Sequence, residues 1–338
     1  MADVIPKRSE LKRRLILGLQ ALVSVGLVAW LLNRFDFSRS LRIVAHVDHH
    51  FLVAGALIAP LVILTLAVRF RAVLKKGAIP LPMRTTISIV WGGQFWNFFL
   101  PGSTGGDLYR LAALWSKYPA RKTDALVAVF VDRFLATAVL GLAALIGMFF
   151  LPLQTLWHFA SMRSSSILLV PVAIAVCLVV LMTLLPIARK ALGRCMDSLV
   201  HKLGDARSFL VPDRSMLIVL GWAVVGHVVN FCVFFCYARA VGLTISFGQV
   251  CLILPTLLIL LMVPISINGH GVREVLLVLF FTALGIVPNR TASLPETVVA
   301  LSVVGLSSDM ALGLLGGFAF LLGRRERLNG TRVIATPA

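Results

Sequence analysis

The stretch Leu100-Pro101-Gly102-Ser103-Thr104-Gly105-Gly106 interrupts an apolar region that runs from residue 85 to residue 115. Proline removes a backbone donor and clustered glycines end a helix, so the chain breaks here. At membrane depth, irregular backbone is tolerated only where protein buries it or where it lines a wet cavity. The break therefore predicts a hairpin that enters from one side and returns to it, with a tip that does not face lipid.

Outward from the break, apolar stretches fall at 15–33, 51–68, 85–101, 124–150, 165–187, 215–238, 249–267, 272–287 and 296–322. Of 338 residues, 59% are hydrophobic and 14% charged, with a mean hydropathy of +0.95. Soluble domains carry about 25% charged residues. A soluble cytosolic enzyme is thus excluded, and a membrane chain with spans of about 20 residues each is expected.

Lys and Arg total 32 against 14 Asp and Glu, a net charge of +18. In a soluble chain that excess would point to nucleic acid. In a membrane chain it follows from the bias of basic residues toward cytoplasmic loops. Placement decides between the two. If all nine stretches cross, Arg110, Lys117, Arg121, Lys122 and the bases from Arg189 to Arg214 fall outside, against the bias. If 85–115 is a hairpin, 24 of the 32 bases lie inside, among them Arg69, Arg71, Lys75 and Lys76 in the loop after the 51–68 span. Only Arg34, Arg39, Arg42, Arg163, Arg239 and Arg290 then lie outside, while Arg133 and Arg273 sit within apolar segments. The charge is a topology signal, both termini are expected in the cytoplasm, and no nucleic-acid partner is expected.

A second break, Pro264-Ile265-Ser266-Ile267-Asn268-Gly269-His270-Gly271, interrupts 249–287. Two full spans or one hairpin from outside both return the chain outward. The tip 268–271 without Lys or Arg and the short leg 272–287 favour the hairpin. Pro101-x-Ser103-x-x-Gly106-x-x-x-Arg110 aligns with Pro264-x-Ser266-x-x-Gly269-x-x-x-Arg273 without a gap. Each break is third in a series of span, span, hairpin, span. The first half, 15–150, starts inside and the second, 165–322, starts outside. The expected fold is an all-α polytopic membrane protein, a single domain over 1–338. It has about six full spans and two re-entrant helical hairpins in an inverted repeat. Such repeats, with broken helices at the midplane, are typical of secondary transporters.

Each tip precedes a helix start. Ser103, Thr104, Ser266 and Asn268 are good N-cap types. Gly105, Gly106, Gly269 and Gly271 let backbone approach a ligand. A helix start offers unpaired N–H groups and the positive end of a dipole, which together favour an anion. Arg110 and Arg273, four residues past Gly106 and Gly269, lie about one turn in, where a guanidinium can fork a phosphate. At that depth the natural anion is a phospholipid headgroup. Charges inside apolar spans are costly and become candidates in their own right. These are Asp107, Asp132, Arg133, Glu274 and Asp309, with pairing among themselves and with Arg110 and Arg273 as the bland alternative. Asn97 and Pro101 complete the candidate substrate-binding set, and Asn97 with Gln94 is expected to brace the turn. No catalytic residue, metal ligand or cofactor is expected.

Other features read plainly. Trp91, Phe95, Trp96, Phe98 and Phe99 are expected to pack, with an acyl or isoprenoid path as the alternative. His46, His49 and His50 are read as a solvated loop, and His270 as structural. Five cysteines (Cys177, Cys195, Cys232, Cys236 and Cys251) do not form a disulfide framework. The basic, amphipathic segment 188–210 is expected to lie as a helix on anionic lipid. P-loop and dinucleotide motifs are absent from the sequence.

Three elements together resemble one known family. They are Asn97-Phe98-Phe99-Leu100-Pro101-Gly102-Ser103-Thr104-Gly105-Gly106-Asp107-Leu108-Tyr109-Arg110, the span with Val131-Asp132-Arg133, and Pro264 through Glu274. The family is the flippase-like transmembrane domain of lysylphosphatidylglycerol synthases and its stand-alone relatives. The resemblance implies movement of a lipid between leaflets of the bacterial inner membrane. It also implies that an aminoacyl-transferase domain follows in full-length synthases. Here 16 residues follow position 322, so lysyl-lipid synthesis is not expected of this chain.

Three functions follow for weighing. The first is a flippase for an anionic or modified phospholipid, or for an isoprenoid lipid or glycolipid. The second is an integral-membrane lipid-modifying enzyme using Asp107, Asp132, Glu274 and Asp309, although helix starts repel a metal cation. The third is a non-catalytic partner of a separate lipid-synthesis enzyme, for example one making a hopanoid, glycolipid or aminoacyl lipid.

Overall fold

The computed structural model describes residues 37–99, 105–149, 213–262, 271–289 and 292–330. Nine α-helices lie among them: α1 (Phe37–Ala45), α2 (His49–Lys76), α3 (Met83–Phe99), α4 (Gly105–Lys117), α5 (Lys122–Phe149), α6 (Arg214–Ala240), α7 (Phe247–Leu260), α8 (Val272–Ala283) and α9 (Leu294–Gly330). A single 3-10 turn, Pro119–Arg121, leads from α4 into α5. The expected spans 15–33 and 165–187, the segment 188–210 and the tips with Pro101, Ser103, Thr104, Ser266, Asn268, Gly269 and His270 lie outside the described residues.

Four described helices are long and apolar enough to cross a bilayer: His49–Lys76, Pro119–Gly147, Arg214–Ala240 and Leu294–Gly317. Leu57, Phe130 and Leu217 project from three of them with more than half their surface exposed, as a lipid-facing wall requires. The protein is a multi-pass membrane protein. The helices flanking the breaks are shorter. With 17, 13, 14 and 12 residues, α3, α4, α7 and α8 each fall below the length that spans about 30 Å of hydrocarbon.

Helices α2 and α6 run antiparallel and are pinned at both ends. Asp48 N donates to Ala240 O (2.9 Å) at one end, and Lys76 Nζ donates to Asp213 Oδ1 (2.6 Å) at the other. Between the pins, Gly55 faces the Tyr237 ring, where an added Cβ would stand 2.7 Å from Cδ1. The short helices open at opposite ends of this pair. The start of α3 and the end of α4 meet where Tyr118 Oη donates to Pro80 O (3.1 Å), next to the Lys76 end of α2. The start of α7 and the end of α8 meet where Thr244 N donates to Val287 O (3.0 Å) and Asn289 N to Gly242 O (2.7 Å), next to the Ala240 end of α6.

Each short leading helix packs on the long helix of the opposite half of the chain. Helix α3 lies on α9, with Trp91 and Phe95 against Gly316 and Gly317. Helix α7 lies on α5, with Leu252 against Gly147. The two cores reflect this exchange. One joins Phe280, Phe281 and Leu301 to Phe231 and Leu140, and the other joins Phe70 and Leu74 to Val90, Leu114 and Ala128.

Two expectations need correction. Helix α2 does not stop at Val68 but continues to Lys76, so Arg69 belongs to the buried interior and not to a loop. Of the histidine segment, only His46 lies in the exposed turn between α1 and α2. Asp48 caps α2 by accepting from His50 N (2.9 Å) and Phe51 N (3.4 Å), which makes His49 and His50 its exposed first turn.

Candidate functional site

Helix α4 begins at Gly105 against the end of α3. Gly106 N donates to Asn97 Oδ1 (2.6 Å), and Asn97 Nδ2 donates to Gln94 Oε1 (2.8 Å). Asn97 therefore satisfies one of the donors that a helix start leaves unpaired, and with Gln94 it braces the turn. The approach is close enough to require glycine. A Cβ on Gly106 would lie 2.8 Å from Gly93 O, and one on Gly93 would lie 3.1 Å from Gly106 O.

One turn into α4, Arg110 is 5% exposed. Its guanidinium lies 5.6 Å over the Phe70 ring and reaches Asp107 Oδ1 at 3.3 Å through Nη1. Asp107 Oδ2 is also 3.4 Å from Arg133 Nη1. Asp132, 2% exposed, is gripped at both oxygens by Arg69, 2.7 Å from Nε and 3.0 Å from Nη2. Arg110 Nη1 stands back from Asp132, at 3.8 Å. Three guanidiniums thus share two carboxylates. Buried charge is tolerated only when paired, and Arg110 and Arg69 meet that requirement through Asp107 and Asp132. Arg110 Nε is buried and has no hydrogen-bond partner among the described residues.

The second group sits at the start of α8. Gly271 has φ +85°, a conformation that glycine adopts freely. Glu274 Oε2 accepts from Gly271 N (2.6 Å), and Glu274 Oε1 accepts from Arg273 Nε (3.3 Å). Arg273 Nη2 is buried with no hydrogen-bond partner among the described residues. This helix start already holds a carboxylate, whereas the α4 start holds a neutral amide. Asp309 occupies an exposed position on α9, one residue past Ser308, whose Oγ meets Tyr237 Oη at 2.5 Å.

The expected candidates therefore fall into two groups. Asn97, Gly105, Gly106, Asp107, Arg110, Asp132 and Arg133 gather around the α4 start, while Gly271, Arg273 and Glu274 gather around the α8 start. Arg69 was not anticipated. It lies 63 residues from Asp132 in sequence, and locally it reads as the first of the bases Arg69, Arg71, Lys75 and Lys76 after an apolar run. Of the aromatics, Trp91 donates from Nε1 to Leu312 O (2.7 Å), and Trp96 lies stacked on Tyr109 with 6.3 Å between ring centroids.

Residues 17–294 match the sequence model of the lysylphosphatidylglycerol synthase TM region, and the chain belongs to that family. The model describes the membrane region and not the synthase domain. No curated protein and no solved structure matches the chain.

Proposed function

We propose that this protein moves a lipid between the leaflets of the inner membrane, holding its anionic headgroup near the midplane between the starts of α4 and α8. The family is associated with lipid translocation, and the anion site rests on one observation. Arg110 is buried one turn into a helix, and its Nε has no hydrogen-bond partner among the described residues. A phosphate oxygen supplies a strong, charged acceptor for that donor. Asp107 and Arg133 flank that position, and Arg273 is its counterpart at the second helix start. The lipid is an anionic or modified phospholipid, or an isoprenoid lipid or glycolipid carrying phosphate.

An inverted repeat of 15–150 and 165–322 is supported by the antiparallel α2–α6 pair, by the opposite openings of the two short-helix pairs, and by the exchange of α3 onto α9 and α7 onto α5. In this reading the short pairs are re-entrant hairpins from opposite faces and both termini are cytoplasmic. Alternating access then consists of each half rocking against the other around the fixed site.

Reconstitution into vesicles of phosphatidylglycerol and phosphatidylethanolamine, with fluorescent phosphatidylglycerol and no nucleotide, tests the reading. The expected result is movement of unmodified probe to the other leaflet, cut at least tenfold in Arg110→Gln. Wild-type flux in Arg110→Gln would remove the headgroup site. A covalently altered probe would replace transport with enzymology.

A further inference from the structure

We infer that Arg69 is a positioning residue of this site. By holding both oxygens of Asp132, it keeps that carboxylate from hydrogen-bonding to Arg110 and so leaves Arg110 donors available to a lipid phosphate. The inference rests on the headgroup reading above and assigns a task to a residue outside the paired motifs.

The geometry carries it. Asp132 has two nearby guanidiniums and bonds to only one. Arg69 makes the fork, at 2.7 and 3.0 Å, whereas Arg110 Nη1 stays 3.8 Å away, beyond hydrogen-bonding reach. Bidentate arginine–carboxylate pairs are strong and directional, so they fix where the carboxylate points. The next residue on α2, Phe70, is wholly buried and lies beneath the Arg110 guanidinium. One turn of α2 thus presents a fork to Asp132 and a ring face to Arg110. Without Arg69, the nearest charge for the buried Asp132 would be Arg110. Closing the 3.8 Å gap would then tie up Arg110 donors in a second internal pair, beside that with Asp107. Lysine cannot substitute for the fork, because it is a point donor and not a planar pair of donors.

The test uses the full chain in detergent, with short-chain phosphatidylglycerol as probe and the thermal midpoint as readout. The midpoint without lipid reports folding, and its rise with lipid reports binding. Wild type is expected to gain about 5 °C at saturating lipid. Arg110→Gln, run in parallel, loses the gain. Arg69→Met is expected to lower the starting midpoint and to reduce the gain at least threefold. The double variant Arg69→Met/Asp132→Leu removes the freed carboxylate and regains most of the lipid-induced rise. Arg69→Lys falls between wild type and Arg69→Met, and serves if Arg69→Met does not fold.

A full gain in Arg69→Met or Arg69→Lys overturns the inference and leaves the headgroup reading standing. A double variant that folds but gains nothing also overturns it, because Arg69 would then contact lipid itself. No gain in wild type, or a full gain in Arg110→Gln, overturns both.

Discussion

Trp91 Nε1 donates a 2.7 Å hydrogen bond to Leu312 O, across 221 residues of chain. The bond ties the leading helix of the first break to the last long helix. It forms because Gly316 and Gly317 leave room for Trp91 and Phe95. A Cβ on Gly316 would lie 2.7 Å from Trp91 O, and one on Gly317 would lie 2.8 Å from Phe95 Cδ2. Gly316→Ala therefore forces α3 and α9 apart and is expected to destabilise the protein by about 1–3 kcal/mol, as overpacking does. Gly305, on the same helix, has nothing within 4 Å of its would-be Cβ. Gly305→Ala is expected to be neutral or to stabilise by up to about 1 kcal/mol. Thermal midpoints of the two variants in detergent check the contrast, and equal midpoints would refute the close packing at Gly316.

Asn97 ties the end of α3 to the start of α4 through its bond from Gly106 N. Asn97→Ala removes that acceptor and is expected to cost about 1 kcal/mol, the usual value of a helix cap. Asn97→Asp keeps an acceptor and favours the helix start electrostatically, but it places a fixed negative charge where the lipid phosphate is expected. Loss of the donor to Gln94 Oε1 offsets part of that gain, so stability stays at or above that of Asn97→Ala while affinity for short-chain phosphatidylglycerol falls about tenfold. Lipid titration of both variants separates the roles. Undiminished affinity in Asn97→Asp would move the phosphate away from the α4 start.

The long helices were legible because apolar runs and helix lengths coincide. The stretch 124–150 became Lys122–Phe149, and 215–238 became Arg214–Ala240. The end of α2 was not legible. An arginine after Val68 reads locally as the edge of a span, and only Asp132, on another helix, makes its burial tolerable. The breaks were read from Pro and Gly alone, the candidate Arg110 from its spacing to Gly106, and Asp107 from its charge within an apolar segment. The balance of charge at the two helix starts was not visible. It depends on Asn97 capping one start and Glu274 the other, and side-chain caps are set by geometry that spacing does not specify.

Lys76 and Asp213 pin α2 to α6 through a 2.6 Å contact. The hydrogen bond from Lys76 holds the Asp213 carboxyl below the usual carboxylate range, with help from Met216 N. A depressed folded-state value stabilises the fold above the unfolded value, near 3.9, and that contribution disappears as pH falls through the folded value. Asp213→Asn keeps the capping acceptor for Met216 N but removes the charge. The variant is expected to melt below wild type at pH 7, with a gap that closes as pH drops below about 4. Midpoints at pH 7, 5 and 3 check this. A constant gap would show that the effect of the substitution is not ionic.

Glu274 does two things at the start of α8, and substitution can separate them. Its Oε2 caps Gly271 N at 2.6 Å, and its Oε1 faces Arg273 Nε at 3.3 Å. Glu274→Gln keeps an oxygen acceptor for the cap but removes the carboxylate that Arg273 Nε contacts, leaving Asp309 within electrostatic range. If Arg273 faces the lipid phosphate, affinity for short-chain phosphatidylglycerol rises by about tenfold, equivalent to about 1.4 kcal/mol, with little change in the lipid-free midpoint. Glu274→Ala removes the cap as well. Its lipid-free midpoint falls with the loss of about 1 kcal/mol, while the gain in affinity persists. If instead both variants bind lipid no tighter than wild type, Arg273 does not meet the headgroup, and the α4 start alone carries the anion.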